Sequence, residues 1–280
     1  MPSESIADQA ARFAKANETS NTRALDIDQF FDGTYFKGKN ALVTGGNRGL
    51  GFNLTTLLVD NGANVFVTCR RSNSELEALV GKDNILDGVD VTVDPAIRDA
   101  ARKVAASGKL LDIVINNAGY FYGPKEMVSD DSLNFDEELK QIDICGIGPL
   151  RVNNALIQAK ALAPNAKLVT ITSQAGSVQW RATQNKDVGG DYGHHMSRAA
   201  CNMAAVLLSE EVKKMGYSVH LFHPGFNRTE MTAKYKEIWD IEGAVEPIIG
   251  AKRVLHEISK ASMETTGKFI NCEDGLIIPW

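Results

Sequence analysis

From residue 40 onward, short apolar runs alternate with stretches whose apolar positions recur at helical spacing. Asn40–Thr44 reads as a strand, and residues 50–61 as a helix closed by Asn61-Gly62, a pair suited to a left-handed helix end. Residues 65–69 are a second β-rich run, and a third is expected to end at residues 89–91. Pro95 opens a helical stretch reaching 107, with Ile97, Ala101 and Val104 on one face and Gly108 beyond. Residues 111–115 are continuously apolar, as strands are when helices cover both faces of a parallel sheet. The pattern then predicts a helix over 146–162 with Pro149 in its first turn, a strand over 167–172 and a long helix over 192–215. A strand over 219–223, a helix over 250–258 and a short strand over 268–270 complete it. Such alternation implies right-handed crossovers, and the fold class it predicts is α/β: a single doubly wound parallel sheet with helices on both faces.

Residues 1–36 precede the first core strand and read as an N-terminal extension to a dinucleotide-binding domain over 37–280. Ile6, Ala10 and Phe13 suggest a short amphipathic helix there, and Phe30, Phe31 and Phe36 could pack on the domain. Composition changes this picture little. With 44% hydrophobic and 23% charged residues the chain can bury a large core, and its net charge of -5 argues against nucleic acid as a partner. No apolar run is long enough to span a bilayer. Glu4, Asp8 and Glu18 make the N-terminus unlike a signal peptide and too acidic for most transit peptides, so a cytoplasmic protein is expected, with organelle import the lesser alternative. Cys69, Cys145, Cys201 and Cys272 show no metal spacing and read as reduced thiols.

In a doubly wound sheet, ligands sit beyond the carboxyl ends of the strands where strand order reverses. The first strand ends in Thr44-Gly45-Gly46-Asn47-Arg48-Gly49-Leu50-Gly51. Glycines there let the backbone turn tightly and approach a phosphate, and the following helix points free N–H groups at the anion. Glycine spacing alone would also fit a plain tight turn; the strand before it and the helix after it supply the context a Rossmann fold requires. The second strand ends in Arg70-Arg71, where an acid would hold the adenosine ribose 2′-hydroxyl. Arginine suits a 2′-phosphate instead, Arg48 could add a second charge, and the expected cofactor is NADP(H); as ordinary surface arginines they would simply be solvated. Asp90 and Val91 could meet the adenine ring.

These residues resemble the short-chain dehydrogenase/reductase family, from about residue 37 to the C-terminus. The TGxxxGxG turn stands as Thr44, Gly45, Gly49 and Gly51, and the NNAG motif as Asn116, Asn117, Ala118 and Gly119. The PGxxxTxM segment runs from Pro224 and Gly225 to Thr229 and Met231, with Thr229 implied to meet the nicotinamide carboxamide. The ending 267–280 is similar to the carbonyl-reductase-like branch that includes the C-factor proteins. By resemblance, Ser173 polarises the substrate carbonyl. The catalytic tyrosine, however, is replaced by His194, the lysine four residues later by Arg198, and the supporting asparagine by Asp143.

Those departures leave two functions open. A shifted register makes Tyr192 the acid, but its fourth neighbour is then Met196, which carries no charge. His194 and Arg198 share a helix face, and a histidine can move protons near neutral pH. Arg198 should disfavour an imidazolium and a nearby Asp143 should favour it. One function is an NADP(H)-dependent oxidoreductase moving hydride to or from a carbonyl or alcohol. Its substrate would be apolar or aromatic, since Trp180, Phe226, Met231, Tyr235, Trp239, Tyr120, Phe121 and Tyr122 follow the site motifs; each could equally be core. Residues 178–190 could form a lid over it. The other function is a catalytically degenerate dinucleotide-binding sensor or assembly subunit, docking on a partner through residues 1–36. A homo-oligomer is compatible with either.

Overall fold

A computed structural model describes residues 4–280, so the expected extension is seen from Glu4. The strands are β1 Asn40–Thr44, β2 Asn64–Cys69, β3 Ile85–Asp87, β4 Leu111–Asn116, β5 Leu162–Ile171, β6 Ser218–His223, β7 Phe269–Asn271 and β8 Leu276–Ile277. They form one sheet in the order β3-β2-β1-β4-β5-β6-β7-β8, parallel except for the β7–β8 pair. Strand order reverses between β1 and β4, and that crevice is where a doubly wound sheet binds ligands. The α-helices are α1 Gln9–Glu18, α2 Thr22–Leu25, α3 Gly49–Asp60, α4 Ser74–Val80, α5 Asp94–Ala106, α6 Phe135–Gln141, α7 Gly148–Gln158, α8 Val178–Gln184, α9 Tyr192–Val212 and α10 Pro247–Lys260.

Alternation along each strand divides the apolar residues between two cores. On one face Leu42, Val114 and Leu168 pack under Ile97 and Val104 of α5, Leu156 of α7 and Leu208 of α9. On the other, Val43, Ile113 and Val169 pack under Leu54 and Leu58 of α3 and Val254 and Leu255 of α10. The runs look uniformly apolar in sequence because both faces are covered.

Several expected boundaries move. The third strand is Ile85–Asp87, ended by Gly88 at φ 74°; Val89 and Val91 are apolar because they are buried in the core beyond its end. The helix expected over 146–162 begins at Phe135 and passes through a π-helical turn, Ile142–Ile147, into α7. Pro149 lacks an N–H and its ring crowds the carbonyl four residues back, which a widened turn just before it relieves. Strand β5 starts at Leu162, and its register slips between the Leu111 and Ile113 pairings, beside Asn165 at φ 63°. The antiparallel β8 was not expected.

The extension lies on the fold. The Ser5 N–H donates to the Ile277 carbonyl (2.9 Å), Phe36 is fully buried, Phe31 packs on the second core, and Phe30 stays largely exposed with its edge on His256. Among the described residues, no helix is long and apolar enough to cross a membrane.

Candidate active site

The loop after β1 is held from below by β4. The Thr44 hydroxyl accepts from the N–H groups of Asn117 (3.0 Å) and Ala118 (2.9 Å), and Asn117 Nδ2 donates to the carbonyls of Thr44 and Gly45. Gly45 and Gly49 have positive φ, at 65° and 55°. A Cβ on Gly51 would stand 2.3 Å from the Gly45 carbonyl oxygen, so α3 can begin only on glycine there. No side chain caps the start of α3, which leaves its first N–H groups facing the loop. The turn has the shape of an anion cradle. Asn47 Nδ2 is spent on the Arg71 carbonyl (3.0 Å), and the Leu50 side chain packs on the core, so both shape the loop with their side chains rather than line it.

Arg70 and Arg71 are exposed at the end of β2. Arg48 pairs with Glu230 at 2.8 Å, but both side chains are mostly in solvent, where such a pair is weak and easily exchanged for a phosphate. Asp90 accepts from the Thr92 N–H and hydroxyl; these bonds, with Arg70 nearby, outweigh burial and hold its carboxyl below the usual range. Val91 points into the core under Gly148, and its carbonyl accepts from Arg151 (3.3 Å), so it meets neighbouring helices rather than the cleft.

At the carboxyl end of β5, the Ser173 hydroxyl accepts from the Ala175 N–H (3.1 Å). Helix α9 packs tightly behind it: a Cβ on Gly176 would stand 2.8 Å from the Arg198 carbonyl. Arg198 is buried, donates from Nη1 to the Ile171 carbonyl (3.2 Å), and brings Nη2 within 3.3 Å of where a Gly119 Cβ would be; its Nε has no partner. His194, one turn earlier, meets Phe121 edge-on at 4.7 Å, and its buried Nδ1 has no partner. Burial, and then the cations Arg198, His195, Lys234 and Arg181, push its pKa well below the ordinary 6.5.

Asp143 does not play the part expected of it. It lies in the π-helical turn and is paired with Arg151 (2.5 Å), and it is not among the groups that influence His194. Cys145, two residues on, instead faces the segment after Gly119: its Sγ lies 3.3 Å from both the Tyr120 N–H and the Tyr120 carbonyl oxygen. Pro149 is the one sequence signal for the widened turn that makes this exchange. Tyr192 is exposed, with its hydroxyl 3.7 Å from where a Gly189 Cβ would stand.

Residues 39–238 match the short chain dehydrogenase family. The chain belongs to that family. It is 29% identical over 239 residues to the 1-hydroxy-2-glutathionyl-2-methyl-3-butene dehydrogenase of Rhodococcus sp. strain AD45, covering 85% of this chain and 98% of that protein. It is 29% identical to the C-signal protein of Myxococcus xanthus over 170 residues, 61% of this chain and 93% of that one. Among solved structures it is similar to the NADPH-bound carbonyl reductase from chicken fatty liver, with a TM-score of 0.73 and 26% identity over 87% of this chain and all of that one. As a short chain dehydrogenase, the protein is an oxidoreductase by family.

The side of the cleft beyond Ser173 is aromatic. Phe121 stacks on Tyr235 (6.2 Å), Phe226 meets Tyr235 edge-on (6.5 Å), and Met231 reaches to 3.7 Å from the Gly119 Cβ position. Thr229 caps the 3-10 segment Glu230–Ile238 that carries Met231 and Tyr235, after Pro224 and Gly225, the latter at φ 84°. That segment is tied to α9 at Asp191, whose carboxylate receives the Tyr235 hydroxyl (3.0 Å) and the Lys234 ammonium (3.3 Å). Trp180 is buried in the core beneath the arm, and residues 178–184 are helix rather than lid: the Ser177 hydroxyl donates to the Pro279 carbonyl and the Gln179 N–H to that of Trp280. Arg181 is likewise committed, to Asn185, the Gln174 carbonyl and His195 Nε2 (2.9 Å), and burial lowers its pKa to about 10.

Proposed function

We propose that the protein is an NADP(H)-dependent oxidoreductase that acts on an apolar or aromatic alcohol–carbonyl pair, with Ser173, His194 and Arg198 as its working residues. The observation that carries this reading is Arg198. A buried guanidinium that turns Nη2 toward Gly119 with no protein hydrogen bond on that nitrogen, while Nη1 is held by the Ile171 carbonyl, fits a site where ligand hydroxyls complete its bonds. The glycine turn and the exposed Arg70 fit the pyrophosphate and 2′-phosphate of the same cofactor. When bound there, the nicotinamide would supply the hydride acceptor or donor.

The chain's own residues favour one direction near neutral pH. His194 is a neutral imidazole with its Nδ1 buried, so Nε2 is available to take a proton from a substrate hydroxyl oriented by Ser173. Carbonyl reduction would need an imidazolium, which burial and four neighbouring cations or cation-forming groups oppose. Alcohol oxidation is therefore the better-supported direction. Tyr192 and Asp143 stand outside this set. All four cysteines are unpaired and buried, which fits the reducing cytoplasm we assign to the protein.

A dinucleotide-binding subunit without turnover is the second reading, favoured by one observation: neither ring nitrogen of His194 bonds Ser173, whose hydroxyl is turned to Ala175. The two separate by experiment. Nucleotide titrations should show tight NADPH binding to wild type, Ser173→Ala and His194→Ala alike. Turnover of an aromatic alcohol panel with NADP+ should fall about 10²–10⁴-fold in both variants, as loss of a proton-transfer group does. Binding with no turnover across the panel would establish the second reading.

A further inference from the structure

We propose that α1 is a tie bar between the two walls of the substrate pocket, and that Arg12 is the positioning residue that fixes their separation. This rests on the oxidoreductase reading above and takes residues 174–190, which follow Ser173, and 225–243, which carry Thr229, Met231 and Tyr235, as those walls. Arg12 is buried, which is unusual for an arginine in a chain extension. Its guanidinium donates to Gln174 Oε1 (2.9 Å), the residue after Ser173, and lies over the Trp180 ring at 5.7 Å. The same group bonds Glu273 Oε2 at 2.9 Å from Nε and from Nη2.

Glu273 carries the tie to the second wall. Its other oxygen accepts from the Phe226 N–H (3.3 Å), and its Cγ lies 2.5 Å from where a Cβ on Gly225 would be, so glycine is required for that approach. Gln9 Nε2, one turn before Arg12, donates to Glu273 Oε1 (3.0 Å) and to the Glu242 carbonyl (3.2 Å). Phe13 rests on Gly243, whose φ of 69° and lack of a side chain make room for the ring. At the far end, Gln184 Nε2 bonds the Ala7 carbonyl. The ten-residue helix thus touches the first wall at Gln174 and Trp180, with Ala7 just before it meeting Gln184, and the second at Glu242, Gly243 and, through Glu273, Phe226.

The chemistry of the junction makes Arg12 the decisive member. Although burial opposes it, Arg12 and then Arg253 hold the Glu273 carboxyl down to about 2, so the glutamate stays ionised inside the protein. Without Arg12 the remaining cation is Arg253 at 3.8 Å, with no direct bond to either wall. A buried carboxylate stripped of its main partner draws in water or moves, and Phe226 moves with it. Cofactor residues 44–71 make none of these contacts.

Hydrogen–deuterium exchange on the full-length protein, with and without NADPH, tests this. Arg12→Met keeps an apolar stem over Trp180 and should raise amide exchange at least tenfold in both 174–190 and 225–243. Gln174→Leu should loosen 174–190 alone, and Phe13→Ala 225–243 alone. These milder variants decide the matter even if Arg12→Met does not fold. With 4-nitrobenzyl alcohol and NADP+ as probes, Arg12→Met should raise KM about tenfold and change kcat less. Faster exchange confined to residues 5–20, with both walls unchanged, would overturn the proposal. Absence of wild-type turnover on the probe would instead count against the oxidoreductase reading, and the exchange data would still decide the tie.

Discussion

At the scale of single residues, the proposed preference for NADP(H) rests on the charge of Arg70. Arg70 stands exposed at the end of β2 near Asp90, and the carboxylate of Asp87 at the same strand end is already bonded to the Ser72 N–H (2.7 Å). Arg70→Asp should weaken NADPH binding by more than about tenfold and narrow or reverse the preference over NADH, as fluorescence titration with each nucleotide would show. Equal losses for both nucleotides would mean that Arg70 holds no 2′-phosphate. The glycine turn was legible because each glycine answers a steric demand that composition alone encodes, as the 2.3 Å approach at Gly51 shows. Asp143 was misread for the opposite reason: its partner, Arg151, lies two turns along a helix whose π-helical turn shifts the facing residues. Aligned motif spacing assumes a regular helix, and Pro149 breaks that assumption.

At the scale of elements, the junction of β1 and β4 carries the site. The Thr44 hydroxyl satisfies two N–H groups of the NNAG segment while itself buried. Thr44→Val preserves shape but leaves those donors unpaired, at a cost of about 2–4 kcal/mol, readable in urea denaturation. NADPH affinity should fall with it, because Asn117 also holds the turn. Long strands and amphipathic helices were readable from period and punctuation, whereas β3 and β8 have three and two residues and no room to show alternation. Helix α8 was taken for a lid because Ser177 caps it and its anchors, the Pro279 and Trp280 carbonyls, are a hundred residues away in sequence. The arm's contacts with Gln174 and Glu273 were hidden the same way: a buried arginine looks like any other until its partners are placed.

For the whole molecule, buried histidines set the response to acid. Burial, with Lys167 nearby, lowers His220 to about 4; burial, against the pull of Glu273 and aided by Arg12, Arg181 and Arg198, lowers His223 to about 3. Both are neutral when folded, and the unfolded chain takes up their protons near pH 6.5. Their contribution is therefore complete above pH 6.5 and is lost as pH falls. Each costs up to about 1.4 kcal/mol per pH unit, and less near pH 6.5 where protonation is half complete, so unfolding free energy should drop by about 3 kcal/mol between pH 6.5 and 5. Urea titrations at those two values check it, and a flat response would mean that neither ring is held neutral. The sheet and its switch point were legible because strand–helix alternation specifies topology, while the chemistry was not, because His194's protonation depends on its burial and then on cations from α8, α9 and residue 234. In the proposed function neutral His194 would take a proton from a substrate hydroxyl, and NADP+ held at the glycine turn would supply the hydride acceptor. The direct test is the pH profile of NADPH appearance at 340 nm in single turnover with an aromatic alcohol, for wild type and His194→Ala. The account predicts a wild-type rate that is flat from pH 9 to 6.5 and falls at lower pH, with His194→Ala slower by about 10²-fold or more and lacking that limb. A His194→Ala rate equal to wild type, or a wild-type rate that rises as pH falls below 6.5, would contradict it.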